Sequence, residues 1–422
     1  MQVGAADPGT ADLDDDVQRA PDLRFRDLVD RRVLVVAVQA DSSHRTLLPE
    51  LGATAVRPVP TSGDDGSPSS RTAARRKVRA SGIPTERGHA CVAAPRGVAG
   101  ARPNGVGPAG VGGQRPGQNL LVVALEVEPA PVRPARQGQG PVWDDGAGEL
   151  LWVDAAGWIR WAQVGPAGAV RDLAVRPVGE PVGAVALTTA PGWLLAAGSG
   201  FRRLSPDGEV GVLLDLDGPG RMCGGACDRA GRFLAGVTGL PETRGVGAVH
   251  RVDVDGVVSI ALADLEEPAA IAWSPDDDVL YLADSGARTV TAYDYDPDLG
   301  TADRPRVLLD FPMDEPAIPS GLTVDGAGHL WVSLTGGGQV RRYSSAGRPE
   351  EVLRVPATQP TGCTFVGPAL DVLVVTTAVE GLSDVDRAVQ PDAGRLFTAH
   401  VPDVAGRGTF RYRGPLRGLT AA

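Results

Sequence analysis

From residue 119 onward, apolar and polar positions come in short β-like bursts, each closed by a turn of Gly, Asp or Pro. Six segments share this plan: GPVWDDGAGELLWVD from Gly140, GAVALTTAPGWLLAAG from Gly183, GACDRAGRFLAG from Gly225, AIAWSPDDDVLYLAD from Ala270, GLTVDGAGHLWVS from Gly321 and GCTFVGPALDVLVVT from Gly362. Each places a turn between two apolar runs, which is hairpin chemistry. Further strand-like pieces follow, such as Val249 to Val252 and Val340 to Tyr343. The residues that open the repeats are Gln139, Val182, Cys223, Ala269, Ser320 and Thr361, at intervals of 43, 41, 46, 51 and 41 residues. Four strands in such a period describe a propeller blade, and the 3.6-residue periodicity of a helical solenoid is missing. The pattern predicts an all-β, six-bladed β-propeller over residues 119–418. The apolar strand Leu120 to Val127 stands in position to close the ring by completing the last blade.

Residues 1–118 read differently. Asp12 to Asp16 is acidic, Arg71 to Arg87 is basic, and Pro95 to Gly117 is almost wholly Gly, Pro, Ala, Val and Arg. Only Arg31 to Ala40 has the β-branched density of a strand. Three readings are open for this arm: a disordered extension, a small appended element, or a misassigned start. Disorder is the expectation, because little apolar surface is present to offset the entropy of ordering.

Charge and cysteine content narrow the function. The chain has 41 basic and 52 acidic residues, a net charge of −11, which argues against a nucleic-acid partner held through phosphates. The run Val33 to Val38 is too short to span a membrane and follows an acidic leader, so no membrane partner and a cytoplasmic location are expected. Four cysteines are too few for a disulfide scaffold in 422 residues. Cys223 and Cys227 are spaced C-x3-C with no His or second Cys pair nearby to complete a zinc site.

Four blocks, in order, carry a resemblance: GQGPVWDD at Gly138 to Asp145, RMCGGACDRAGRFLAG at Arg221 to Gly236, PAAIAWSPDDDVLYLADS at Pro268 to Ser285, and PSGLTVDGAGHLWVS at Pro319 to Ser333. In these the chain resembles the SMP-30/gluconolactonase/regucalcin-like family of six-bladed propellers, which includes sugar-lactone lactonases. The resemblance implies one divalent cation, calcium or zinc, at the mouth of the central channel. Oxygen ligands suit such an ion, which polarises a lactone carbonyl and acidifies a bound water. Its ligand positions fall on Gln139, Ala269 and Ser320, where the family has Glu, Asn and Asp. Cys223 and Gly224 stand where the family has a substrate-facing Asn and Asp, and Arg221 alone matches, in a substrate-contacting role. The only two Asn, Asn104 and Asn119, precede the repeats.

No metal or other cofactor is therefore expected, with calcium or zinc retained only if an altered site persists. Arg221, Gln139, Ser320 and Thr361 are the candidate substrate-binding residues. Candidate catalytic groups are Glu267, beside Glu266 and before Pro268, and Glu315, beside Asp314 and before Pro316. Crowded carboxylates of this kind supply general bases. Cys223 is a candidate nucleophile two residues from a guanidinium, although no His pairs with it in any recognisable motif. Three functions stay open: lactone or ester hydrolysis, metal-free acid/base catalysis of the kind found in strictosidine-synthase-like propellers, and non-catalytic binding of a small molecule.

Overall fold

In the computed structural model, the described residues are 125–165, 168–218, 220–239 and 247–422. The expectations for residues 1–118, the disordered arm and the Arg31 to Ala40 strand among them, lie outside the described residues. The repeats fold as six antiparallel sheets of a propeller. The innermost strands are Gly138–Asp144, Val182–Leu187, Arg221–Cys227, Pro268–Trp273, Ile318–Val324 and Pro360–Val366, one for each of blades 1 to 6. Each turns back at the Asp/Gly/Pro segment read from the sequence, and two further strands complete the sheet outward. The pieces Val249 to Val252 and Val340 to Tyr343 fall within third strands, Gly247–Val252 and Gln339–Tyr343.

The turn chemistry is explicit in blades 3 and 5. The buried Asp228 carboxylate accepts the Arg232 amide at 2.8 Å, and Asp325 accepts the His329 amide at 2.9 Å. Gly231 and Gly328 complete these turns at φ +89° and +87°, a region that L side chains avoid. Each carboxylate then reaches a second group. Asp228 accepts the Tyr295 hydroxyl at 2.7 Å, and Asp325 accepts the Trp331 indole N–H at 3.1 Å. A buried carboxylate is tolerated because each oxygen is satisfied in this way.

Apolar side chains pack between neighbouring sheets rather than in one central core. Edge-to-face aromatic pairs join adjacent blades: Trp161 with Trp193 at 5.4 Å, Phe201 with Phe233 at 6.2 Å, and Trp331 with Phe365 at 5.6 Å between centroids. Small residues such as Gly140, Gly183, Gly224, Ala270 and Gly321 line much of the central channel.

The ring closes in blade 6, as expected, but through the residues that immediately follow the Leu120 to Val127 stretch. The outer strand there is Glu128–Pro129, paired with Phe397 and Thr398. Leu125 and Val127 instead pack on the apolar cluster of blade 6, so burial claims the side chains that the pattern assigns to a strand. Residues 120–124 of the expected strand lie outside the described residues.

A second closure has no counterpart in the repeats. The chain from Val401 to Leu416 runs as a strap across one face and reaches the first turn of every blade. Gly406 donates to Leu370 O in blade 6, Gly326 of blade 5 donates to Ala405 O, and Arg413 donates to Gly231 O in blade 3. Arg407 binds carbonyls of blade 4, Arg411 pairs with Asp144 of blade 1, and the Tyr412 amide donates to Leu187 O in blade 2 at 2.8 Å. The end of the chain, Thr420–Ala421, adds a parallel fifth strand to the outer edge of blade 3.

Candidate functional site

All six innermost strands begin at the face opposite the strap, and all six carry an irregularity in register near their start. The shifts fall at Gln139/Val142, Val182/Ala184, Met222/Gly225, Pro268/Ala270, Pro319/Gly321 and Pro360/Gly362. A bulge at a strand start re-aims the local side chain and sharpens the bend. Five of the six repeat-opening positions are thereby gathered at the mouth of a central cavity of about 430 Å³, whereas Val182 of blade 2 is buried in the apolar cluster between blades 1 and 2.

The residue after the ring position is Gly in five blades. Here neighbouring inner strands nearly touch. A Cβ on Gly224 would stand 1.8 Å from Ala269 O, one on Gly183 would stand 2.3 Å from Cys223 O, and one on Gly321 would stand 2.4 Å from the Gly362 Cα. Close approach of backbones, more than turn geometry, dictates these glycines.

Two tiers of side chains line the mouth. Gln139, Cys223, Ala269, Ser320 and Thr361 form the inner tier. Two residues earlier stand Gln137, Arg221, Glu267, Ile318 and Gln359, at the first residue of the strand or just before it, which form the outer tier. The two-residue spacing puts both tiers on the same side of the strand. The sixth outer position, Glu180, turns away to pair with the buried Arg202 at 2.5 Å.

The sequence-derived candidates separate clearly. Arg221 and Glu267 meet at the mouth, with Nη2 2.9 Å from Oε1 and both side chains close to half exposed. Such an exposed pair contributes little stability, about 0–1 kcal/mol, and a ligand can divide it at small cost. The Glu266 and Glu267 amides are held by the Asp284 carboxylate at 2.9 and 2.8 Å, which fixes the loop that presents Glu267. Glu315 does not line this cavity. Its carboxylate pairs with Arg341 and its carbonyl accepts Arg288, so the loop is tied to blades 4 and 5.

Cys223 lines the inner tier, but its thiol is buried and pushed up to about 12, chiefly by burial, with Glu267 adding to the shift and Arg221 opposing it. At neutral pH it is a protonated thiol and a poor nucleophile. Cys227 and Cys363 are also buried, with their thiols pushed up by the same cause.

The remaining inner-tier polar atoms are engaged by the protein. Gln139 Nε2 donates to Gly183 O at 3.1 Å, and its Oε1 accepts from Gln137 at 3.4 Å. The Ser320 hydroxyl lies 2.8 Å from the Thr335 hydroxyl, 3.2 Å from Pro360 O and 3.3 Å from Ser333 O. Thr361 donates to Gly138 O and lies 3.0 Å from the Thr376 hydroxyl. Among the described residues, no three or more His, Cys, Asp or Glu side chains converge in a group able to hold a metal ion.

Reading the sequence by candidate motifs misses Gln137, Gln359 and Glu380, all of which line the cavity. The first two were within reach, because each stands two residues before a repeat-opening position. Glu380 carries no such signal. It comes from the loop after the second strand of blade 6, where it pairs with Arg136 at 3.0 Å.

A six-bladed propeller with a mouth gathered by bulged inner strands defines a class of pocket protein, and comparison with known proteins narrows it. Residues 137–379, more than half of the chain, match the model of the SMP-30/Gluconolactonase/LRE-like region. The chain belongs to this family. It is 31% identical over 295 residues to a pentonolactonase of Haloferax volcanii, covering 67% of this chain and 96% of that one. It is 32% identical over 272 residues to regucalcin of Xenopus laevis, covering 62% and 89% of the two chains. Among solved structures it resembles the calcium-binding protein regucalcin of Agrobacterium tumefaciens, with a TM-score of 0.62, 25% identity, and coverage of 67% of this chain and 95% of that one. A luciferin-regenerating enzyme shares the fold with a TM-score of 0.62 at 24% identity, covering 69% of this chain and 100% of that one.

Proposed function

We propose that this chain binds a small polar molecule, of the size and hydroxyl content of the sugar lactones named for its relatives, in the central cavity and without a resident divalent ion. One observation carries this reading. The three positions that the family resemblance assigns to metal ligands hold a carboxamide, a methyl group and a hydroxyl. The carboxamide of Gln139 and the hydroxyl of Ser320 are already bonded within the protein. A dication gives up its hydration only for several oxygen donors, preferably charged ones, and Gln139, Ala269 and Ser320 bring no charge. These residues do not fit calcium or zinc, so hydrolysis through such an ion is not part of the proposal.

The chemistry at the mouth supports recognition of a polyhydroxylated ligand. Gln137 and Gln359 present carboxamides, a group that both donates and accepts. Arg221 and Glu267 add a donor fork and an acceptor whose mutual bond a ligand can replace. A cavity of about 430 Å³ is of the size that encloses a small ligand.

Isothermal titration of the full chain tests the proposal. Calcium and zinc are expected to give no heat at micromolar concentration, whereas a panel of sugar lactones and sugar acids yields at least one saturable binder. Tight binding of either ion to the unaltered chain would overturn the reading. The combined variant Gln139→Glu, Ala269→Asn and Ser320→Asp is expected to acquire ion binding, with a rise in melting temperature when calcium is added.

A second reading is favoured by one contact. Glu267 brings a carboxylate into the cavity beside the Arg221 guanidinium, an arrangement suited to metal-free proton transfer. Turnover of any panel member that is lost in Glu267→Gln, while binding persists, would establish it.

A further inference from the structure

Away from the mouth, the cavity meets a part of the chain that no repeat contains. It is bounded there by Arg407, Gly408, Thr409 and Phe410 of the C-terminal strap. Arg407 is consumed as an anchor. Its guanidinium donates to Trp273 O at 3.1 Å, Ser274 O at 2.7 Å and Pro275 O at 3.2 Å, and to the Asp277 carboxylate at 2.9 Å. It also lies 5.8 Å from the centre of the Phe410 ring. On the far side of Phe410, Tyr412 is fully buried between blades 2 and 3 and bridges to Thr188. The segment between these two anchors is therefore held at a set height across the channel.

We propose that this strap is the floor of the ligand cavity, and that Thr409 and Phe410 determine how long a ligand the protein accepts. The proposal rests on the central cavity being the ligand site. Repeat-derived residues set the chemistry at the mouth, whereas depth is set by a segment that lies outside the blade pattern. Thr409 offers a hydroxyl and Phe410 an apolar face, so the far end of the ligand meets one polar and one non-polar group.

Two measurements on the full chain test this. The first needs no ligand. Thr409→Cys introduces a thiol at the floor, and its reaction with methyl methanethiosulfonate is read above the background of the native cysteines. Plugging the mouth with Ala269→Trp is expected to slow that reaction about tenfold, since the reagent then loses its path down the cavity. An unchanged rate would place residue 409 in contact with the outer solvent and overturn the proposal. Ser320→Trp is the alternative plug if circular dichroism shows that the first does not fold.

The second measurement compares affinities for a five-carbon sugar lactone, a six-carbon sugar lactone and a disaccharide lactone. Phe410→Ala is expected to shift preference toward the longest probe by about tenfold, and Thr409→Phe toward the shortest by a similar factor. Equal changes across the three probes would refute a role in ligand length. If the unaltered chain binds none of them, the proposed function fails, while the thiol measurement still decides whether the strap is the floor.

Discussion

At the residue scale, the mouth is governed by what has no room and what has no charge. Gly224 is the clearest case of the first. Its α-hydrogens face the Ala269 carbonyl, and a methyl group would sit 1.8 Å from that oxygen. Because both groups are backbone, neither can swing aside, and blades 3 and 4 would have to part. Gly224→Ala is expected to lower stability by about 3 kcal/mol, read as a drop in the denaturation midpoint. Gly408→Ala, where an added Cβ meets nothing within 4 Å, is the matched control and is expected to be nearly neutral. Cys223 shows a similar dominance of surroundings over identity. Proximity to Arg221 in sequence favours a thiolate, yet burial outweighs the guanidinium and keeps the proton on sulfur.

At the scale of elements, the innermost strands and the strap divide the work. In every blade but the second, the innermost strand brings one ring residue and one outer-tier residue to the mouth, and its bulge fixes their placement. The strap ties the first turns of all six blades together at the opposite end, and Tyr412 is its deepest anchor. The ring packs among Phe201, Phe233 and Leu416, and the hydroxyl lies 3.3 Å from Asp253 O. Tyr412→Ala removes an aromatic side chain from a closed site and is expected to cost about 3–5 kcal/mol. Thermal melting followed by tryptophan fluorescence checks this, and a loss below 1 kcal/mol would show the strap to be a passive tail.

At the scale of the whole molecule, the interior holds thiols and phenols that the fold keeps neutral into alkaline pH by excluding water. Burial pushes Cys223 and Cys363 up to about 12 and raises Cys227, Tyr295 and Tyr412 further. Once unfolded, the thiols would ionise near their ordinary value of 9.0. Between that value and the folded ones, the native state binds more protons than the unfolded chain. Raising the pH then favours unfolding, and the stability present below pH 9 is lost progressively above it. The melting temperature is expected to fall by about 5 °C or more from pH 8.5 to 10.5, and a flat profile would contradict the assigned burial.

Most of the architecture is legible in the primary structure because hairpin chemistry is local. Asp and Gly at fixed offsets in Asp228–Gly231 and Asp325–Gly328 specify the turn within a few residues. Repetition at a near-constant interval then leaves few ways to bury six apolar sheet faces other than against one another. The ring positions follow from the same repetition, and so does the absence of charge at Gln139, Ala269 and Ser320. Contacts between distant segments decided the rest. Whether Glu267 or Glu315 reaches the cavity turned on their partners, Arg221 in one case and Arg341 in the other, and both glutamates stand in similar local sequence. The closing strand moved to Glu128–Pro129 because Leu125 and Val127 found a buried apolar surface. The strap carries no repeat signature, since a segment that touches every blade once has no period of its own. Local chain preferences therefore determined the blades and their order, while long-range packing determined which side chains share the cavity and where it ends.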